Sequence, residues 1–125
     1  MADPTTVLVD ARNVLRSQWP NIPERELVER CCAWAEMQSV HAVIVFDGKA
    51  PGGLVAKDEV APHCTVVGTG AESADDWLAR EAALSRAAGR PFWLVTSDRA
   101  LRDEAGAGAE KIVGGGAFAR ELMSG

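Results

Sequence analysis

Three apolar runs in this chain each end on an aspartate: "TTVLVD" at Asp10, "VHAVIVFD" at Asp47 and "FWLVTSD" at Asp98. The runs are rich in β-branched and aromatic residues, as strands are. Between them lie stretches with apolar residues at helical spacing. Strand–helix–strand alternation of this kind gives a parallel sheet with helices on both faces. The expected fold class is therefore α/β, a three-layer α/β/α sandwich around a central parallel sheet. Residues 1–125 form a single domain, a length that suffices for one core. The chain has no internal repeat and no low-complexity tract.

The individual elements read as follows. Thr5–Val9 is a first strand. A helix runs from Pro23 to about Ser39, with Leu27, Cys31, Trp34, Ala35 and Gln38 near helical spacing, Asn21 as its cap and Glu24 at the capping-box position. Val40–Phe46 is a strand covered on both faces. The Gly-, Pro- and Lys-containing stretch from Asp47 to about Pro62 reads as a loop, and Thr65–Val67 as a short strand. Ser73–Ala88 is a helix with an inner stripe of Trp77, Leu78, Glu81, Ala82 and Leu84, stopped by Gly89. Phe92–Thr96 is a strand, Arg99–Ala105 a short helix, Ile112–Val113 a last strand and Ala117–Met123 a last helix.

In a parallel sheet every strand's C-terminal end lies on one edge, and ligands bind there. Asp10, Asp47 and Asp98 must then share that edge. A helix capped by Ser73 starts at the same edge, with Asp75 and Asp76 in its first turn and Glu72 just ahead. Carboxylates gathered in one cleft repel unless something positive lies between them. A hard divalent cation such as Mg²⁺ does this while keeping waters for chemistry, and such ions activate water and clamp a phosphodiester for in-line displacement. Each acid also has an ordinary explanation. Asp75 and Asp76 suit the positive end of a helix dipole, and Asp76 stands four residues before Arg80 as a surface pair. Asp47 could start a turn and Asp98 cap the next helix. Asp103 faces either the cleft or water. Asp10 is hardest to explain this way, because it ends a central strand and Asn13 follows.

Net charge is −5, which argues against nucleic-acid binding by long-range attraction but leaves room for phosphates met through a cation. Arg12, Arg16, Lys49 and Lys57 fall in segments expected to rim the acidic edge, where they could take backbone phosphates. No apolar run has the length of a membrane span, and no basic region followed by an apolar stretch marks a secretion signal. Three cysteines, two of them adjacent at Cys31 and Cys32, make neither a disulfide framework nor a zinc spacing, so a reducing cytoplasm is expected.

Other motifs carry less. Gly68-Thr69-Gly70 could cradle a phosphate, but lacks dinucleotide spacing and a P-loop lysine, so it reads as a tight turn. His41 and His63 stand at strand starts, on the far edge from the acids. Cys31 falls on a helix's inner face. Trp34, Trp77 and Trp93 follow core patterns, and Trp19 either packs or covers the cleft.

Five segments in register resemble the NYN domain of the PIN-like nuclease superfamily, in its YacP-like branch. They are "LVDARNVLRSQWP", "VIVFDG", "AESADDWLAREA", "LVTSDRALRDEA" and "GGAFAREL". The resemblance implies a parallel sheet with an acidic cleft that binds Mg²⁺ or Mn²⁺ and cuts single-stranded or structured RNA. By matching position it implies that Asp10, Asp75 and Asp98 hold metal, that Glu72 assists, and that Asn13 braces the first acid or contacts substrate; Asp47 fits less well. Two departures stand out. The family's "DGYN" is "DARN" here, so Arg12 replaces an aromatic and could grip a phosphate, or mark drift away from catalysis. The stretch between Asp47 and Glu72 is short for that branch.

The leading expectation is a metal-dependent endoribonuclease of the cytoplasm, with RNA delivered by a partner such as the ribosome or another RNA-bound protein, no membrane partner, and a protein inhibitor or self-association as further partners. The alternative is a catalytically weak or inactive RNA- or protein-binding adaptor on the same fold. A phosphotransfer domain with Asp10 as nucleophile and Asp98 as helper ranks third. It lacks a second Asp two residues after Asp10 and a suitably placed late lysine.

Overall fold

The computed structural model describes residues 4–17 and 21–124. Six strands, β1 (Thr6–Asp10), β2 (His41–Phe46), β3 (Lys57–Ala61), β4 (Cys64–Gly68), β5 (Phe92–Val95) and β6 (Lys111–Val113), form one sheet in the order β3-β4-β2-β1-β5-β6. All neighbouring pairs are parallel except β3 with β4. Strand β1 is hydrogen-bonded on both sides, with Asp10 opposite Val45 and Val9 opposite both Ile44 and Val95.

Helices cover both faces, as the strand–helix alternation predicts. On one side α1 (Ala11–Arg16), α2 (Glu24–Gln38) and α5 (Gly115–Ser124) pack on Val7, Val9, Ile44 and Val95. On the other α3 (Ala74–Ala87) and α4 (Arg99–Ala105) pack on Leu8, Val45, Val67 and Leu94. Side chains alternate along a strand, so Asp10, two residues beyond Leu8, belongs to the α3/α4 side. No described helix is long and apolar enough to cross a membrane.

Helix α2 buries Leu27, Cys31, Trp34 and Ala35. The Trp34 ring meets Phe118 edge-on at 4.9 Å and Trp93 at 6.3 Å. Helix α3 buries Ala74, Leu78, Ala82 and Ser85 and is capped by Ser73, whose Oγ accepts from the Asp76 N–H at 3.1 Å. Gly89 follows it at φ +67°, the left-handed turn that ends it.

The structure corrects several expectations. Asn21 is not the cap of α2: Pro23 holds the cap position and makes no side-chain cap bond, while Glu24 and Glu26 lie in the first turn, favoured by the helix dipole. The inner stripe of α3 keeps Leu78 and Ala82, with Trp77 and Glu81 half-buried, but ends on Ser85 in place of Leu84, which is exposed. The segment 47–62 is more than a loop. A short 3₁₀ turn at Pro51–Gly53 leads into β3, whose "KDEVA" suits an edge where charge discourages further pairing. Cys32 and Cys64 form a disulfide between α2 and β4, at a Cα–Cα distance of 5.2 Å. The cysteines therefore do pair, and they no longer argue for a reducing compartment. Cys31 stays free and buried, its thiol pushed up to about 12 by burial. Trp19 lies outside the described residues.

Candidate active site

The first turns of α1, α3 and α4 and the ends of β1, β2 and β5 meet at one sheet edge, around a cleft lined by Asp10, Arg12, Asn13, Arg16, Asp47, Ser73, Ala74, Asp75 and Asp98. Four carboxylates from four separated segments are brought together. The position is the crevice where the sheet's winding reverses, since β1 leads leftward to β2 and β5 rightward to β6.

Asp10 is the buried member. Thr96, fully buried, donates from Oγ1 to Asp10 Oδ2 at 3.0 Å and accepts from the Asp98 N–H at 3.1 Å. Burial lifts the Asp10 carboxyl above its ordinary range; bonds from Thr96 and the Asn13 backbone oppose this, Asp98 adds repulsion and Arg16 attraction. Asp75 is lifted too, first by partial burial and then by repulsion from Asp10, Asp98, Glu104 and Asp47. Asp98 caps α4 as well as lining the cleft, with Oδ1 accepting from the Leu101 N–H at 3.0 Å.

Asp47 is engaged at both oxygens. Oδ1 accepts from the Ala74 N–H at the start of α3 at 2.8 Å, and Oδ2 lies 3.3 Å from Arg12 Nη1. Asn13 accepts at Oδ1 from the Ser97 N–H at 2.8 Å, and Ser97 Oγ accepts from the Gly115 N–H at 2.8 Å. Asn13 thus braces the loop before Asp98 through its side chain.

Some expected residues are not brought in. Glu72 forms a two-pronged ion pair with Arg80 and does not line the cleft. Asp76 is exposed, as a solvated surface residue is, and its charge acts on Arg80 without a contact pair. Lys49 and Asp103 are exposed and outside the lining. Lys57 lies on β3 rather than in a loop, 5.8 Å over the Trp77 ring. The N–H groups of the Gly68-Thr69-Gly70 turn bond to Ala56, Phe46 and Gly48 carbonyls, so the turn has no free cradle. Reading the sequence missed Thr96 as a functional residue. Its only signal is adjacency to "SD" at the end of β5.

The resemblance noted from the sequence implies a divalent cation, and the donor set bears on it directly. Every carboxylate here is a hard oxygen ligand, and Asp75 feels uncompensated repulsion from three other cleft acids. That chemistry suits Mg²⁺ or Mn²⁺. Among the described residues no three His, Cys, Asp or Glu side chains converge tightly enough to chelate an ion at one point. The acids instead ring the cleft, as suits an ion that uses one or two carboxylates and keeps its waters.

A family model of the YacP-like NYN domain matches residues 7–123. The chain belongs to the YacP-like NYN domain family. This is a nuclease-like, RNA-related family, and the matched span covers every segment that brings an acid to the cleft. The fold of this NYN domain is similar to the crystal structure of Rae1 (YacP) from Bacillus subtilis, at TM-score 0.66 and 20% identity over 96% of this chain and 74% of that one. A tryptophan-to-leucine mutant of the same protein gives TM-score 0.70 at 16% identity, over 96% and 76%. At these identities the likeness is one of fold. No curated protein matches the chain.

Proposed function

We propose that this NYN domain is a metal-dependent ribonuclease that hydrolyses RNA phosphodiesters endonucleolytically at the acidic cleft. The observation that carries this reading is the convergence of Asp10, Asp47, Asp75 and Asp98 on one cleft at the switch point of the sheet.

Asp10, Asp75 and Asp98 would hold Mg²⁺ or Mn²⁺, one or two of them directly and the rest through the ion's waters. When bound, the ion supplies a water nucleophile at neutral pH and neutralises charge on the phosphodiester. Asp75, exposed and with a raised carboxyl, would take the proton of the attacking water at a carboxylate oxygen as the new P–O bond forms and return it, through solvent, to the ribose oxygen that departs as the old one breaks. Thr96 holds Asp10 in one orientation, and Arg16 at the rim takes a backbone phosphate. With a net charge of −5 the domain attracts free RNA weakly. Delivery by the ribosome or another RNA-bound protein, and control by an inhibitor or by self-association, belong to the same proposal. So does a cytoplasmic setting, although the Cys32–Cys64 bond runs against a strongly reducing one.

The test is cleavage of a labelled single-stranded RNA with Mg²⁺ or Mn²⁺ by wild type, Asp10→Asn and Asp75→Asn. Metal-dependent cleavage lost in both variants supports the reading, and wild-type-like cleavage by Asp10→Asn sinks it. The second reading, an RNA- or protein-binding adaptor, is favoured by the lack of a tight three-ligand cluster among the described residues. It predicts neither cleavage nor metal binding.

A further inference from the structure

We propose that Arg12 is the phosphate clamp of this cleft and that Asp47 is its positioning residue, a latch for the guanidinium rather than a metal ligand. The inference rests on the nuclease reading for the identity of its anion, a nucleic-acid phosphodiester.

Arg12 stands in the first turn of α1, two residues after Asp10, and lines the same cleft as Asp10, Asp75 and Asp98. Its side chain is 53% exposed and its ion pair is with Asp47 Oδ2, at 3.3 Å. Asp47 is in turn fixed by the Ala74 N–H on Oδ1. A carboxylate anchored to the start of α3 by one oxygen therefore holds the guanidinium with the other. A cation bound at Asp47 would lie beside that guanidinium, and the two like charges would repel. The cation that bears on Asp10 is Arg16. The two arginines of the cleft thus act on different acids, Arg12 on Asp47 and Arg16 on Asp10.

The latch is weak by construction. An exposed pair with one long contact is worth at most about 1 kcal/mol. A phosphate offers the planar guanidinium two parallel charge-assisted bonds, which are stronger. An arriving phosphodiester therefore takes Arg12 from Asp47, and the resting pair keeps the side chain at the mouth instead of collapsed onto Asp10 and Asp75. In a domain with a net charge of −5, such a residue gives the substrate phosphate a favourable first contact.

The experiment measures binding of a fluorescein-labelled single-stranded RNA by anisotropy in EDTA, and of Mn²⁺ alone by calorimetry. The proteins are wild type, Arg12→Ala, Arg12→Lys, Asp47→Asn and, for Mn²⁺, Asp10→Asn. Asparagine keeps the acceptor for the Ala74 N–H and removes the charge that holds Arg12. We expect Arg12→Ala to weaken RNA binding about tenfold, Arg12→Lys to recover part of it, and Asp47→Asn to tighten it roughly two- to fivefold. Mn²⁺ affinity should stay within about twofold of wild type in Asp47→Asn. Unchanged RNA affinity in Arg12→Ala, or no RNA binding by wild type, overturns the clamp. A loss of Mn²⁺ affinity in Asp47→Asn as large as that in Asp10→Asn overturns the latch. Because the RNA measurement needs neither metal nor cleavage, an inactive wild type counts against the nuclease reading without deciding this one.

Discussion

Thr96 Oγ1 reaches Asp10 Oδ2 at 3.0 Å across the boundary between β5 and β1, joining residues 86 positions apart. The same hydroxyl accepts from the Asp98 N–H, so one buried side chain sets the spacing of two cleft acids. Thr96→Val keeps the shape and removes the hydroxyl. It leaves a buried carboxylate oxygen without its donor, and should cost roughly 1–3 kcal/mol in denaturant unfolding. Thr96→Ser should restore most of it. Equal stability of wild type and the valine variant would show that the bond contributes nothing.

Asp75 gives a pH signature. Its carboxyl is lifted above its ordinary value near 3.8, first by partial burial and then by neighbouring acids. Between those two values the folded chain binds more protons than the unfolded one, so stability falls as pH rises through that window. Asp75→Asn removes this dependence. At neutral pH it should raise Tm by roughly 1–4 °C, and the wild-type and variant curves should converge in acid.

A divalent cation that binds the cleft stabilises the folded state by mass action. At a concentration a hundred times its Kd, Mn²⁺ should add about 2.7 kcal/mol to wild type, and much less to Asp10→Asn. Thermal scans with and without Mn²⁺ check this, and equal shifts in both proteins would place the ion elsewhere.

Two glycines separate fold from site. A Cβ at Gly68 would overlap the Leu54 carbonyl oxygen, a backbone atom held in the sheet-edge turn, so Gly68→Ala should cost about 3 kcal/mol or more. A Cβ at Gly115 would overlap Asn13 Oδ1, the end of a side chain that can move once it releases Ser97. Gly115→Ala should cost less in stability, about 1 kcal/mol, yet reduce RNA cleavage by loosening the loop that carries Asp98. Urea titrations and initial rates distinguish the two.

The Cys32–Cys64 bond closes a segment with a sequence separation of 32. Loop-closure entropy gives it about 3–4 kcal/mol. Dithiothreitol should lower Tm in wild type and leave a Cys32→Ser/Cys64→Ser double variant unmoved.

The sheet and the placement of acids were legible because parallel strands force their C-terminal ends onto one edge, so "VLVD", "VIVFD" and "LVTSD" could be aligned without knowing strand order. The edge strand β3 was hidden: "KDEVA" is short, charged and bounded by a Gly/Pro turn, and its pairing with β4 is tertiary. The Cys32–Cys64 contact was hidden for the same reason, since no spacing rule brings α2 against β4. At the cleft, strand and helix ends bring Asp10, Asp47, Asp75 and Asp98 to the expected edge, but neither the absence of Glu72 nor the acids' partners could be read from spacing. Glu72 turns to Arg80 because a residue before a helix can reach its second turn, while Asp47 turns inward to the Ala74 N–H.

The central place of β1 has a further consequence for synthesis. The strand made first is the one flanked on both sides by strands made later, β2 and β5. A chain growing from its N-terminus therefore holds Asp10 without its hydroxyl partner until Thr96 has emerged, and without Asp98 until two residues after that. The cleft therefore assembles late: it comes into being only once the chain through Asp98 is free to close around β1.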